Sequence, residues 1–324
     1  MNRREFIALL GGAAAAWPLA ARAQQAAMPV IGFLRSTSLA DATSLVTAFR
    51  QGLKDAGFVE GQNVAVEYRS GENDRDRLSA LVSDFIRRPV AVIVGNLNSA
   101  LAAKAATATV PIVFATGSDP VQDGLVTSLN RPGGNITGVS FLAAVLGAKR
   151  LEQLRQLMPS ATTIAVLVGP ESADAVDRRN VEAAAQAVWQ QLIVLGATND
   201  SDIETAFATF VQRGAGALIT VGGAFMTSNR ERIVALAARH RLPASYSVRE
   251  FVAAGGLMSY GTSITDAYRQ VGIYAGRILK GEKPDDLPVM QSTKFEFVLN
   301  LKTARTLGLE FHPQLLATAD EVIE

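Results

Sequence analysis

Residues able to do bond-making chemistry are scarce in this chain. Cysteine is absent and histidine occurs only as His240 and His312. Thiol nucleophiles and disulfides are thereby excluded, and a zinc site lacks its usual ligands. There is no Walker loop and no nucleophile elbow, and Gly214-Ala215-Gly216 lacks the third glycine of a dinucleotide fingerprint. His240 falls at an expected helix end between Arg239 and Arg241, where it reads as a solvated cap, and His312 precedes Pro313 in the tail. Neither belongs to a nucleophile–base arrangement. The expectation is a protein without catalysis, cofactor or metal.

What recurs instead is a set of short polar loops after apolar runs. Arg35-Ser36-Thr37-Ser38, Gly95-Asn96-Leu97-Asn98-Ser99 and Thr116-Gly117-Ser118-Asp119 lie in the first half. Gly169-Pro170-Glu171-Ser172, Thr198-Asn199-Asp200, Gly222-Gly223-Ala224 and Tyr246-Ser247 lie in the second. Such loops suit noncovalent contact with a small polar molecule. N–H groups at helix starts accept a carboxylate, Asp119 or Glu171 can pair with an ammonium, and Tyr246 or Phe225 can supply an apolar wall. The same residue types cap helices, so Ser38, Asn98, Thr198 and the Asp119-Pro120 pair also read as caps. Candidate ligand contacts are Ser36, Thr37, Asn96, Asn98, Thr116, Ser118 and Asp119 from the first half. Glu171, Gly223, Phe225, Tyr246 and Tyr260 are the candidates from the second.

These loops need a scaffold, and the hydrophobic pattern supplies one. Short apolar runs at 30–34, 64–68, 90–94, 112–115 and 136–141 read as strands. Amphipathic stretches at 43–56, 74–88 and 99–108, and a short one at 120–129, read as helices between them. A second round follows, with strands at 164–168, 192–195, 217–221, 243–246 and 256–260 and helices at 146–158, 173–190, 203–213 and 230–240. Regular β-α alternation means parallel sheets covered by helices on both faces. Two rounds mean two such units, joined near 141–147. The tail breaks the pattern: a helix at 267–279, a linker at 284–288, a strand at 294–299 and a short helix at 303–307. It cannot form a unit alone and must dock back on the others.

The chain opens MNRREFIALLGGAAAAWPLAARAQQ. A basic start, a short apolar run and the small-x-small triplet Ala21-Arg22-Ala23 read as a secretory leader, 1–23, cleaved before Gln24. Arg3-Arg4 followed by Phe6-Ile7 resembles a twin-arginine export motif. No Cys follows for lipid anchoring, and no stable membrane insertion is expected after cleavage. Removing three Arg and one Glu from 31 basic and 30 acidic residues leaves a net charge of −1. That removes any electrostatic footprint for nucleic acid.

Longer motifs carry a resemblance. PIVFATGSDPV (111–121), GLVTSLNRPGGNITG (124–138), GGLMSYG (255–261) and the stretch 278–309 resemble one ABC-transporter substrate-binding family, which contains the TrpX-like proteins. The resemblance covers about 30–309. It implies an α/β fold of two doubly wound parallel-sheet lobes joined by three hinge crossings, the type I periplasmic binding fold. Lobe 1 would comprise 28–141 plus 261–284 and lobe 2 would comprise 142–260 plus 285–324. It further implies a periplasmic, monomeric solute-binding component that closes over a small-molecule ligand and partners an importer's permease and ATPase subunits. The family's better-known members bind aromatic amino acids, and no residue here fixes that choice. A periplasmic sensor for a signalling receptor shares the pattern. A cytosolic effector domain is opposed by the leader and by the lack of a helix-turn-helix, and a hydrolase by the absent nucleophile–base pair.

Overall fold

A computed structural model describes residues 28–88, 90–141, 146–170 and 172–324. The expected leader, its cleavage point and Glu171 lie outside the described residues.

Apolar, β-branched runs make strands that bury both faces, as parallel sheets require. In the first half these are β1 (Val30–Arg35), β2 (Ala65–Ser70), β3 (Val90–Asn96), β4 (Ile112–Thr116) and β5 (Ile136–Ser140). In the second they are β6 (Thr163–Val168), β7 (Gln191–Gly196), β8 (Ala217–Val221), β9 (Ala244–Tyr246) and β10 (Met258–Thr262). The tail adds β11 (Met290–Gln291), β12 (Phe295–Asn300) and β13 (Glu321–Ile323). They assemble two sheets, ordered β11-β5-β4-β3-β1-β2 and β13-β12-β10-β9-β8-β6-β7. All pairings are parallel except that of β12 with β10. The structure is thus the expected pair of doubly wound lobes.

Helices cover both faces of each sheet. On helix Thr43–Asp55 the buried residues Leu45, Phe49 and Leu53 share one face and pack with Phe33 and Val94 from the sheet. Helix Ile264–Leu279 lies against it. A Cβ at Gly52 would stand 1.8 Å from the Arg269 carbonyl oxygen, and one at Gly272 would stand 2.2 Å from that of Phe49. Only glycine permits so close a crossing. Helix Arg75–Arg87 starts at Asp74, whose side chain accepts from the Asp76 and Arg77 amides.

The chain passes between the sheets three times: from β5 to helix Gly147–Leu157, from β10 to helix Ile264–Leu279, and from β11 to β12. The crossings bind one another. Ser263 N–H donates to the Lys294 carbonyl at 2.9 Å, Ser292 N–H donates to that of Ser140 at 2.9 Å, and the Thr262 hydroxyl donates to that of Phe141.

Two segments differ from the sequence reading. The stretch 120–129 is a series of turns, not a helix: Leu125 and Val126 N–H both reach the Pro120 carbonyl, and Gly124 turns the chain at φ 73°. The stretch 284–288 is no free linker. Asp285 accepts from Gly133 N–H at 2.9 Å, Leu287 is buried, and β11 then pairs with β5.

Candidate functional site

In an open α/β sheet the loops after neighbouring strands separate where the winding reverses, leaving a crevice at the strands' carboxyl ends. The orders above place that reversal between β1 and β3 in one sheet and between β6 and β8 in the other. The two crevices contribute to one cavity. It measures about 750 Å³ including its mouth. The first lobe lines it with Arg35, Asn96, Leu97, Asn98 and Thr116–Ser118, and the second with Gly222, Gly223, Thr227 and Ser247. Phe141 and Ile264, beside two crossings, complete the wall with Leu45, Val248 and Tyr268.

Most of the polar groups anticipated there are already engaged. Asn96 is buried; its Oδ1 accepts from Ser36 N–H at 3.0 Å and from the Ser99 hydroxyl at 2.7 Å, and its Nδ2 donates to Ser36 Oγ at 2.7 Å. This knot holds the loop after β1 to the loop after β3. Thr116 and Ser118 hydroxyls lie 2.7 Å apart, and Ser118 donates to Asp123. Asn98 is exposed at the cavity rim, on the first turn of helix Leu97–Ala106. Asn96 precedes that helix but makes no side-chain cap, so its first amides receive no capping oxygen from it.

The remaining candidates divide. Gly223 lines the cavity. Ser36, Thr37 and Phe225 line an adjoining open recess beyond Leu97 and Asn98. Asp119 points elsewhere: it is exposed and caps the following turns, accepting from Val121 N–H at 2.8 Å. Tyr246 does not reach the cavity. Its ring stacks on Phe251 at 4.7 Å, 1% exposed, and burial pushes its phenol pKa up. Tyr260 is half-buried and packs against Phe295 and Phe297 at 6.5 and 6.0 Å, on the edge of the second lobe's core. Alternation along short strands explains both: successive side chains face opposite sides of the sheet, so an aromatic near the cleft points to the core as readily as to the ligand.

Three residues that the sequence reading did not single out matter more. Arg35 ends β1 and is 5% exposed. Its Nη1 donates to the Tyr268 hydroxyl at 3.1 Å and its Nη2 to Thr37 Oγ1 at 2.8 Å, while its Nε is buried without a partner. Among the described residues no carboxylate pairs with it. Ser247 follows β9; it is 1% exposed and its hydroxyl lacks a partner. It packs over Gly222, where a Cβ would stand 1.9 Å from Ser247 Oγ. Tyr268 holds the guanidinium from the far helix. The signal available for Arg35 was a charged residue closing an apolar strand run. Tyr268 had none, because only the return of helix Ile264–Leu279 brings it there.

The cavity therefore offers a cation, two lobes' worth of polar atoms and an apolar wall, with no nucleophile–base pair among the described residues. Among the described residues no cluster of His, Asp and Glu could hold a metal. His240 stacks near Phe207 at 6.3 Å and His312 accepts from Gln314 N–H at a helix start, both remote from the cavity. No described helix is long and apolar enough to cross a membrane.

Residues 29–323 match the family model described as ABC transporter substrate binding protein. A tyrosine-binding protein of Clostridioides difficile (strain R20291) is 25% identical over 264 residues, covering 81% of this chain and 76% of that protein. Among solved structures, the ABC domain in complex with L-Trp from Streptococcus pneumonia superposes with a TM-score of 0.82 at 24% identity, covering 91% of this chain and 99% of that one. The ligand-free, open structure of a Clostridium difficile substrate binding protein with adhesive properties gives 0.67 at 24% identity over the same shares.

Proposed function

This chain belongs to the ABC transporter substrate-binding protein family, and on that premise we propose which solute it takes and how. It is a periplasmic solute-binding protein, not an enzyme. The ligand proposed is a small organic carboxylate with an aromatic or branched apolar part. The observation that carries this reading is the single cavity that sets the Arg35 guanidinium and Asn98 of one lobe opposite Gly223 and Ser247 of the other, within an apolar wall. The tyrosine-binding relative supports a ligand of that size and character.

Capture works by differential contact. A ligand touching both lobes gains interactions only when they approach, so it shifts the population toward the closed form. The moving bodies proposed are 28–141 with 263–291, against 147–262 with 295–324; the third boundary follows β11, which pairs with β5. The closed monomer then docks on its importer's permease, which an ATPase subunit drives.

The test is uptake and binding together. Purified mature protein should gain thermal stability from small apolar carboxylates and none from neutral sugars. A strain lacking the chain should lose uptake of the stabilising compound. Stabilisation by sugars alone contradicts the ligand class, and unaltered uptake contradicts the transport role.

A further inference from the structure

We infer that Arg35 makes this a receptor for organic monoanions: carboxylates with an apolar body and no ammonium group, so that free α-amino acids are discriminated against. This rests on the solute-capture reading above and narrows its ligand.

A guanidinium buried without a counter-ion is costly, and folds tolerate one only where something compensates it. Arg35 is 5% exposed and lines the cavity. Its two hydrogen bonds go to neutral oxygens, of Tyr268 and Thr37, which orient the group without neutralising it. A guanidinium has five N–H donors. Two are used and Nε–H is buried, so one N–H on each terminal nitrogen remains for a ligand, a pair that matches the two oxygens of a carboxylate.

Independent features point the same way. Helix Leu97–Ala106 starts on the cavity, and its preceding residue Asn96 gives it no side-chain cap. Its positive end adds to the attraction for an anion. Across the cleft, the buried Ser247 hydroxyl has no partner and can donate to the same ligand.

Among the described residues no carboxylate lines the cavity, and Glu171 lies outside them. An amino acid's ammonium needs an acceptor, and usually a carboxylate, within reach. Among the described residues lining the cavity Arg35 is the only charged one. Asp119 is turned away as a cap. Asp123 is engaged by Ser118 and lines only the outer recess. The uncharged lining includes Asn98, Thr227 and Ser247, and its apolar part is Leu45, Leu97, Phe141, Val248 and Ile264. An ammonium placed there loses its hydration and meets the field of Arg35, while an apolar chain or aryl group is buried favourably.

Isothermal titration of the full mature protein at neutral pH tests this with matched pairs: 3-phenylpropionate and phenylpyruvate against L-phenylalanine, and indole-3-propionate against L-tryptophan. Each acid should bind at least ~10-fold more tightly than its amino acid, about 1.4 kcal/mol. Arg35→Gln should weaken acid binding by at least ~10-fold, and Arg35→Lys should retain part of it, with both variants keeping the wild-type circular dichroism spectrum. If the amino acids bind as well as the acids or better, the monoanion inference is overturned while solute capture stands. Arg35→Gln binding the acids like wild type overturns the role of Arg35. If neither acids nor amino acids bind, the inference falls together with the carboxylate class proposed above.

Discussion

Asp177→Asn should be among the most damaging single substitutions in the second lobe, although it keeps the side chain's shape. Asp177 on helix Ser172–Ala187 pairs with Arg150 on helix Gly147–Leu157, and their side chains are 3% and 0% exposed. Arg150 also reaches the Tyr260 carbonyl on β10 at 3.4 Å. The pair thus sits where the chain has just entered the second lobe and beside the strand from which it leaves. Neutralising Asp177 leaves a fully buried cation without its anion, which costs about 3–5 kcal/mol. At roughly 2–4 °C per kcal/mol for a unit of this size, the melting temperature falls by roughly 6–20 °C. Thermal denaturation followed by circular dichroism reads this directly. The double variant Arg150→Met/Asp177→Leu is the control. Removing both charges should recover most of the loss, because a buried pair's desolvation cost offsets its attraction. An Asp177→Asn protein within about 1 kcal/mol of wild type refutes the reasoning, as does a double variant no better than the single one.

Other expectations follow from the cleft and the core. Asn98→Ala should weaken ligand binding by ~10-fold, about 1.4 kcal/mol, with little change in melting temperature. Tyr246→Ala should do the reverse, losing about 3–5 kcal/mol of stability from the stacked pair with Phe251; denaturant titration and calorimetric binding separate the two. Arg35→Met should raise the unliganded protein's stability by about 1 kcal/mol or more, since an uncompensated buried charge is removed, while ligand-induced stabilisation disappears. Acid titration should find a small contribution from Asp55, which Gln51 and Arg269 hydrogen-bond and so hold below the ordinary aspartate value of 3.8. That stability is complete above 3.8 and is lost as pH falls through the lowered folded value. Asp55→Asn should flatten the melting-temperature slope in that window; an unchanged slope contradicts the assignment.

The architecture was legible because it is written in periodicities. The runs at 30–34, 112–115 and 217–221 are strands buried along their length, and the face of Leu45, Phe49 and Leu53 packs as its spacing requires. Expectation and structure part where a local pattern has two solutions. Asp119-Pro120 is a good helix start, yet Gly124 and the Pro120 carbonyl close turns before a helix can propagate. The Met290–Gln291 strand is too short for a period, and its pairing partner lies 151 residues earlier at Val139. The cleft was legible as a set of loops and not as a set of contacts. Polar loop residues are chosen both for ligands and for one another. Asn96, Ser36 and Ser118 turn out to bind each other or their neighbours. Which polar atoms stay unpaired, as on Arg35 and Ser247, depends on packing that no linear pattern states.

Capture by closure is a change in the distance between the two lobes. The chain has no cysteine, so Gln122→Cys on the first lobe and Ser201→Cys on the second, both exposed, give a uniquely labelled pair across the cleft mouth. Electron-spin distance measurement on this pair, with and without saturating 3-phenylpropionate or whichever carboxylate gives the largest thermal shift, tests closure itself. The distribution should be broad without ligand and shorter and narrower with it, with no such change in Arg35→Gln. A distance distribution unaltered by a ligand that demonstrably binds would contradict capture by hinge closure.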